Sequence, residues 1–85
     1  MHDTILLNKI SEAVKKVCEA SNIIKVNKLA VVVNHRSHVN DQNLYEHLHC
    51  EHGDLIGLWT EIKIEKDNIQ DQTAILHSIQ GEKSE

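Results

Sequence analysis

The chain has no phenylalanine, one tryptophan, one tyrosine and two cysteines among its 85 residues. With so few aromatic side chains, its hydrophobic core must be built mainly from Ile, Leu and Val. Cys18 and Cys50 stand far apart and neither belongs to a CxxC pair, which argues against a disulfide framework and against a zinc knuckle. Isolated cysteines of this kind are typical of cytoplasmic proteins, so the cytoplasm is the compartment that we expect.

Further absences restrict the function. The formal net charge is -4 and no cluster of Lys and Arg forms a basic stripe, so we do not expect nucleic-acid binding. No apolar run approaches the roughly 20 residues that a membrane span needs, and no signal-peptide pattern precedes the fold. The sequence has no glycine-rich phosphate loop and no nucleophile motif, so it does not resemble an enzyme.

Two segments near the start of the chain have a clear hydrophobic period. Residues 4–21 repeat apolar side chains at three- and four-residue steps, which predicts an amphipathic helix. Asp3 or Thr4 would cap its start, and Asn22 tolerates the left-handed conformation that ends a helix. The apolar run 26–33 is typical of a central strand that is covered on both faces, or covered once with a dimer on the other face.

The rest of the chain predicts one more helix and two strands. Asn40 is a suitable N-cap for a helix over about 41–52 that ends at Gly53. Alternating apolar and polar residues over 58–65 predict a half-buried strand, and residues 73–80 form the last strand. We expect these two strands to pair as an antiparallel hairpin.

The element order is therefore α-β-α-β-β in one domain, residues 1–82, with a disordered tail at 83–85. We expect an α+β fold in which two helices pack on one face of a three-stranded mixed sheet. In the last strand, the period of two places Ile75, His77 and Ile79 on one face.

The amino-terminal Met1-His2-Asp3 is the strongest functional feature. We expect Met1 to be retained, because a bulky residue follows it. Its amine, the His2 amide nitrogen and the His2 imidazole can then chelate one ion, with the Asp3 amide or carboxylate in a fourth position. Such tetragonal sets suit Ni(II) or Cu(II), whereas structural zinc prefers closed tetrahedral sites. The spacing alone leaves open that His2 is only an exposed terminal residue.

Seven histidines are the outlier in the composition. On the second predicted helix, His49 and His52 are three residues apart and share a face, so they are a candidate metal clamp. His47 points roughly 200 degrees away from His49, which does not favour a single four-ligand site. Solvated histidines, or weak adsorption of metal at the surface, are the simpler interpretations. His77 is more typical of a packed or edge residue.

Several blocks of the sequence resemble the HypA/HybF family of nickel-insertion accessory proteins for hydrogenase maturation. Met1-His2-Asp3 is similar to the family's Met-His-Glu start. The block from Val26 to Leu44 follows the family's first strand, turn and entry to the second helix. The family's usual glycine in that turn is replaced by Asn34, which can adopt a positive φ. Residues 76–82 are similar to the family's final strand.

One part of the family pattern is missing. Family members carry a zinc-binding domain with paired CxxC motifs, inserted between what are here the second and third predicted strands. In this chain residues 66–72 bridge that point directly, so the zinc module is reduced to a hairpin turn and no structural zinc is expected. Asn40 stands where the family can carry an acidic residue near the metal.

The resemblance implies a nickel-binding, metallochaperone-like accessory protein for the maturation of nickel–iron hydrogenase. Met1 would supply its amine, His2 its amide nitrogen and imidazole, and Asp3 a nitrogen or a carboxylate oxygen, with Asn40 in support. Nickel would pass to a hydrogenase large subunit, with the maturation GTPase of the same pathway as a further partner.

The alternative is a degenerate HypA-like protein-interaction module with no role in metal transfer. The apolar run 26–33 and an exposed Trp59 would then mark a dimer or partner surface. A short connection before the last strand would also favour its exchange between the two protomers of a homodimer.

Overall fold

The structure, a computed structural model, describes residues 4–84 and contains the predicted order of helices and strands. The elements are α1, Thr4–Ser21; β1, Ile23–Asn34; α2, Asp41–Glu51; β2, Glu61–Asp67; and β3, Ala74–Lys83. The strands form one mixed sheet in the order β2-β1-β3. Buried side chains of both helices and of β1 share a single hydrophobic core. The α+β prediction is therefore confirmed.

α1 follows the predicted amphipathic pattern. Leu6, Ile10 and Val14 are buried along one side of the helix. The helix ends before Asn22, whose φ of 57° is the left-handed conformation that asparagine tolerates. The predicted cap at Asp3 lies outside the described residues. Within residues 4–84, no helix is long and apolar enough to cross a bilayer.

β1 is the central strand, as the apolar run predicts. It pairs parallel with β2 and antiparallel with β3. Leu29, Val31 and Val33 are fully buried under the helices, whereas Ala30 and Val32 on the opposite face are only half-buried. The helices therefore cover one face of β1. The other face, which we call the open face, is partly exposed between side chains of β2 and β3.

Polar side chains border this open face. His77 Nδ1 of β3 lies 2.9 Å from Glu65 Oε2 of β2, so the two side chains meet across β1. On β1 itself, Lys28 Nζ lies 3.9 Å from a carboxylate oxygen of Glu61. Glu65 is partly exposed and the other three side chains are well exposed, and such surface pairs contribute little to stability.

The predicted hairpin of the last two strands is wrong, because β1 lies between β2 and β3. α2 returns the chain so that β2 pairs parallel to β1, and β3 then takes the opposite edge of β1. Residues 68–73 therefore cross the end of β1, where Asn34 Nδ2 donates to the backbone oxygen of Ile69. A strongly apolar strand is best buried between two neighbours, which favours this order.

Asn34 does not adopt a positive φ, since Asn22 and Gln72 are the non-glycine residues of the described chain that do so. Its side chain shapes the turn instead. The Asn34 Oδ1 atom accepts a hydrogen bond of 2.8 Å from the backbone nitrogen of Arg36. Asparagine side chains commonly build turns in this way, without any left-handed backbone.

β2 begins at Glu61, three residues later than predicted. Residues 57–60 form a turn, in which the backbone nitrogen of Thr60 donates to the Gly57 oxygen at 2.9 Å. The Thr60 hydroxyl donates to the Val26 oxygen at 2.7 Å. Leu58, which fits the alternating pattern, is 96% exposed. The alternation of apolar and polar residues therefore extends by chance over residues that form a turn. This turn is hydrogen-bonded to β1.

A β-bulge changes the predicted faces of β3. Ala30 lies opposite Ser78, but the next residue, Val31, lies opposite Leu76, so His77 is an extra residue in the ladder. After the bulge, Ile79 faces the core together with Leu76. The predicted face shared by Ile75, His77 and Ile79 is therefore wrong. β3 also continues to Lys83, into the predicted disordered tail.

α2 begins as predicted, with Asn40 as its N-cap. Asn40 and Asn43 form a capping box, in which the side-chain oxygen of each residue accepts a hydrogen bond of 2.8 Å from the backbone nitrogen of the other. Leu44 and Leu48 are fully buried against the sheet. At the other end of α2, the backbone nitrogen of His52 donates to the Leu48 oxygen at 2.6 Å.

We expect Gly81→Ala to destabilise the fold by about 1–3 kcal/mol, the usual cost of overpacking. A methyl group at Gly81 would overlap the backbone oxygen of Lys25 and lie 2.9 Å from Ile23 Cγ2. Denaturant unfolding would measure the loss. Gly53→Ala is the matched control. Its methyl group would lie 3.2 Å from the His49 oxygen, a longer contact than those at Gly81, so its loss of stability should be smaller. Equal losses in the two variants would contradict this account of Gly81.

Candidate functional site

The predicted ligands Met1, His2 and Asp3 lie outside the residues that the structure describes. What the structure does describe is the element that follows them. α1 begins at Thr4, and Leu6 and Ile10 bury its first turns in the core. The chain that follows Asp3 is therefore fixed to the domain from the first residue of the helix.

The amino-terminal half of α1 lies at the edge of the sheet where β3 begins. Lys9 Nζ donates to the backbone oxygen of Gln72 at 3.3 Å. A cavity of about 220 Å³ is lined in part by Ile10, by Val31 of β1 and by Leu76 of β3. The crossing connection 68–73 therefore lies against the first half of α1.

Asn40, which the resemblance implies as a supporting residue, is already engaged. Its side-chain oxygen accepts a hydrogen bond of 2.8 Å from the backbone nitrogen of Asn43, and the Asn43 side-chain oxygen accepts one from the backbone nitrogen of Asn40. Moving this oxygen to a metal ion would uncap α2, at a cost of about 1 kcal/mol. The structure therefore gives Asn40 a role in starting the helix.

The histidines of α2 point to different parts of the fold. His49 Nδ1 lies 2.8 Å from the Ile56 oxygen, and its ring stacks on Tyr45 with centroids 5.5 Å apart. His52 Nε2 instead lies 2.8 Å from Ser11 Oγ on α1. One ring nitrogen of each histidine is therefore already engaged, and the two partners lie in different parts of the fold. Within residues 4–84, no three His, Cys, Asp or Glu side chains are placed to hold a metal ion.

Ser11, Glu51 and His52 form a polar contact that joins α1 to the end of α2. Ser11 is only 2% exposed, and its hydroxyl donates to Glu51 Oε1 at 2.6 Å. Since the hydroxyl has a single proton, the short contact between His52 Nε2 and Ser11 Oγ requires that His52 is the donor. We call these three residues the helix-joining contact.

The direction of these bonds decides what the helix-joining contact can do. A serine nucleophile needs a histidine that accepts its proton. Here the Ser11 proton goes to a carboxylate, and His52 donates to the serine oxygen. This geometry satisfies a buried hydroxyl in an aliphatic core, and it does not activate Ser11.

His47 approaches the helix-joining contact from the preceding turn of α2. Its Nε2 atom lies 3.3 Å from Glu51 Oε1, but the buried nitrogen makes no hydrogen bond of normal geometry. The pair is within ion-pair distance, and it becomes attractive when His47 is protonated. The Ser11 hydrogen bond lowers the pKa of Glu51, and His47 and His52 lower it further, whereas partial burial acts in the opposite sense.

An open cleft of about 400 Å³ lies beside the helix-joining contact, lined in part by Lys15, Glu19 and Asp54. The Cys18 thiol also lines it, and burial raises the pKa of that thiol. A thiol with a raised pKa stays protonated at neutral pH and is a poor nucleophile. Cys50 is exposed, and neither cysteine is in a disulfide.

One signal in the sequence could have identified Ser11. It precedes Val14 by three residues and Cys18 by seven, so it falls on the buried face of an otherwise apolar stripe. A polar residue in such a position needs a hydrogen-bond partner. The pattern does not indicate which side chain supplies that partner, because Glu51 and His52 come from another helix.

Comparisons of the chain with protein-family models, with curated proteins and with solved structures found no significant match. The family resemblance of the sequence blocks therefore rests on those residues themselves. Any inference about function has to be argued from the amino-terminal chemistry and from the contacts described above.

We expect Glu51→Gln to destabilise the fold near neutral pH and to make stability less sensitive to acid. A lowered pKa in the folded state means that the carboxylate stabilises the fold above the ordinary glutamate pKa, about 4.3. That contribution is lost as the pH falls through the lowered pKa of Glu51. Denaturant unfolding at neutral pH and in acid would measure both effects.

Glu46→Gln is the control for this experiment, because Glu46 is exposed on the same helix. Its unfolding free energy should follow the wild type at both pH values. If Glu51→Gln lost as much unfolding free energy in acid as at neutral pH, the stabilising role that we assign to the Glu51 carboxylate would be contradicted. Ser11→Ala combined with Glu51→Gln should cost less than the sum of the two single changes, since the first removes and the second weakens the same bond.

Proposed function

We propose that this chain binds Ni(II) as cargo at Met1-His2-Asp3 and acts as a metallochaperone-like accessory protein for nickel–iron hydrogenase maturation. The observation that carries the proposal is the placement of an amine, an amide and an imidazole within two residues, directly before a helix. The proposal requires that Met1 carries a free amine. Met1 supplies that amine, His2 its amide nitrogen and imidazole, and Asp3 a nitrogen or a carboxylate oxygen.

The position of α1 supports such a site. A short chelating segment loses less conformational freedom on binding when the next residue already belongs to a rigid element. α1 begins at Thr4, and the burial of Leu6 and Ile10 fixes its first turns. We restrict the ligand set to the first three residues, because the Asn40 side chain caps α2.

The donor chemistry suits a carrier that must release its metal. Amine, imidazole and backbone amide have to lose protons before they bind, so the affinity falls as the pH decreases. Nitrogen-rich tetragonal sets favour Ni(II) and Cu(II) over ions that prefer oxygen ligands. By the resemblance of the sequence blocks, the recipient is a hydrogenase large subunit, and the maturation GTPase of that pathway is a second partner.

We expect wild-type protein to bind one Ni(II) with micromolar affinity or tighter, and to lose this binding in His2→Ala. Calorimetric titration would measure the affinity, and visible absorption of the nickel complex would report its planar geometry. Titrations in buffers of different ionisation enthalpy would count the protons released. The protein must be free of tags, and its intact mass must establish that it begins at Met1.

A version with one extra residue before Met1 provides the matched control. It keeps His2 and Asp3 but moves the amine out of chelating distance, so its affinity should fall as in His2→Ala. Equal binding in all three proteins would assign the metal to other side chains, with His47→Gln and His52→Gln as the next variants. Absence of binding in all three would reject the nickel proposal.

The second candidate function is a protein-interaction module without metal transfer. One observation favours it, namely the turn at residues 57–60, which presents Leu58 at 96% exposure beside a Trp59 that is 43% exposed. The Trp59 indole donates to the Leu55 oxygen at 3.2 Å, and Lys25 Nζ lies 4.5 Å from its ring centroid. A rigid turn with an exposed apolar side chain is suited to a partner surface. Metal affinity separates the two candidates.

A further inference from the structure

The two edges of the sheet differ in charge. β2 forms one edge and carries Glu61, Lys63 and Glu65 on the side away from the helices. β3 forms the other edge, and residues 74–81 contain no Asp, Glu, Lys or Arg. Charged side chains are a common protection against pairing with another strand. The β2 edge therefore has this protection, and the central part of the β3 edge does not.

The bulge at His77 gives β3 an internal symmetry. Before the bulge, the residues that face the core are Ala74 and Leu76. After it, the helix-facing positions are Ile79 and Gly81, while Ser78 stays exposed. The inward positions are thus arranged symmetrically about the point between His77 and Ser78.

This symmetry makes β3 complementary to itself in the antiparallel direction. A two-fold axis between His77 and Ser78 places Leu76 opposite Ile79 of a second copy, and Ala74 opposite Gly81 of that copy. Every inward residue then meets an inward residue, so the apolar layer under the helices continues from one copy into the other. On the open face, Ile75, which is 51% exposed, meets Gln80 of the second copy.

The same bulge favours a second copy of β3 over a strand that pairs without skipping a residue. A strand that pairs residue for residue with β3 keeps its alternation throughout, so its inward residues match β3 on one side of His77 only. β1 matches both sides because His77 has no partner in that ladder. A bulge in an edge strand normally hinders pairing, because it twists the edge away from an incoming strand. A copy of β3 carries the same extra residue at the symmetric position, and both halves then match.

We propose that β3 pairs antiparallel with β3 of a second copy of this chain, which forms a continuous six-stranded sheet across a two-fold axis. The absence of Asp, Glu, Lys and Arg over residues 74–81 suits such a dimer, because a permanent charge close to the axis would lie near its own copy. The proposed pairing uses residues 74–81 and does not depend on nickel binding.

Sedimentation velocity over a wide range of protein concentrations tests this proposal. Wild-type protein should pass from monomer to dimer as its concentration rises. Ser78→Lys should stay monomeric over the whole range, because it introduces two like charges beside the axis at an exposed position. Gln70→Lys makes the same change of charge at an exposed position outside β3, and it should dimerise as the wild type does.

Amide hydrogen exchange and chemical shifts of the wild type at low and high concentration give a second test that needs no variant. Changes on dimerisation should be concentrated in residues 74–81. A protein that stays monomeric at every concentration would overturn the proposal. So would a Ser78→Lys variant that dimerises normally, or concentration-dependent shifts centred on residues 57–60. Dimers that form only after unfolding would indicate exchange of β3 between copies, which would also overturn it.

Discussion

β1 is hydrogen-bonded along both of its edges, and every other element takes its position from it. α2 returns the chain to one edge so that β2 can pair in parallel, and the crossing connection brings β3 to the other. Even the loop before β2 is fixed to this strand, since the backbone nitrogen of Val26 donates to the Leu55 oxygen at 2.8 Å. The aliphatic composition of β1 makes this central position favourable, because an apolar strand at an edge would leave much of its surface in water.

The helix-joining contact adds specificity to a core that is otherwise aliphatic. Apolar side chains such as Val14 and Leu48 can pack in several similar arrangements, because dispersion and burial are not directional. A buried hydroxyl is different, since Ser11 must face a partner in one particular arrangement of the helices. The contact also gives α2 a defined end, where His52 is bonded both to Ser11 and to the last turn of its own helix.

The helices, the central strand and the cap at Asn40 could be predicted because each depends on local pattern. The strand with which β2 and β3 each pair could not be predicted, since two half-buried strands fit either a hairpin or opposite edges of a third strand. The bulge at His77 leaves no mark in a pattern of period two, and it moved Ile79 to the opposite face. For the candidate site, the amino-terminal donors are visible in sequence, whereas the engagement of His49 and His52 with different elements follows from tertiary contacts.

β3, the last strand of the described residues, pairs with β1, the first of them, and this has a consequence for biosynthesis. Ile23 lies opposite Lys83, and Val33 lies opposite Ala74, so most of the domain separates the partners. Contacts between such distant residues slow folding, because the intervening chain must be ordered before they form. Until β3 has left the ribosome, the valine-rich strand has an unpaired edge that other nascent chains could bind. The emerging polypeptide is therefore most in need of chaperones between the release of β1 and the release of β3.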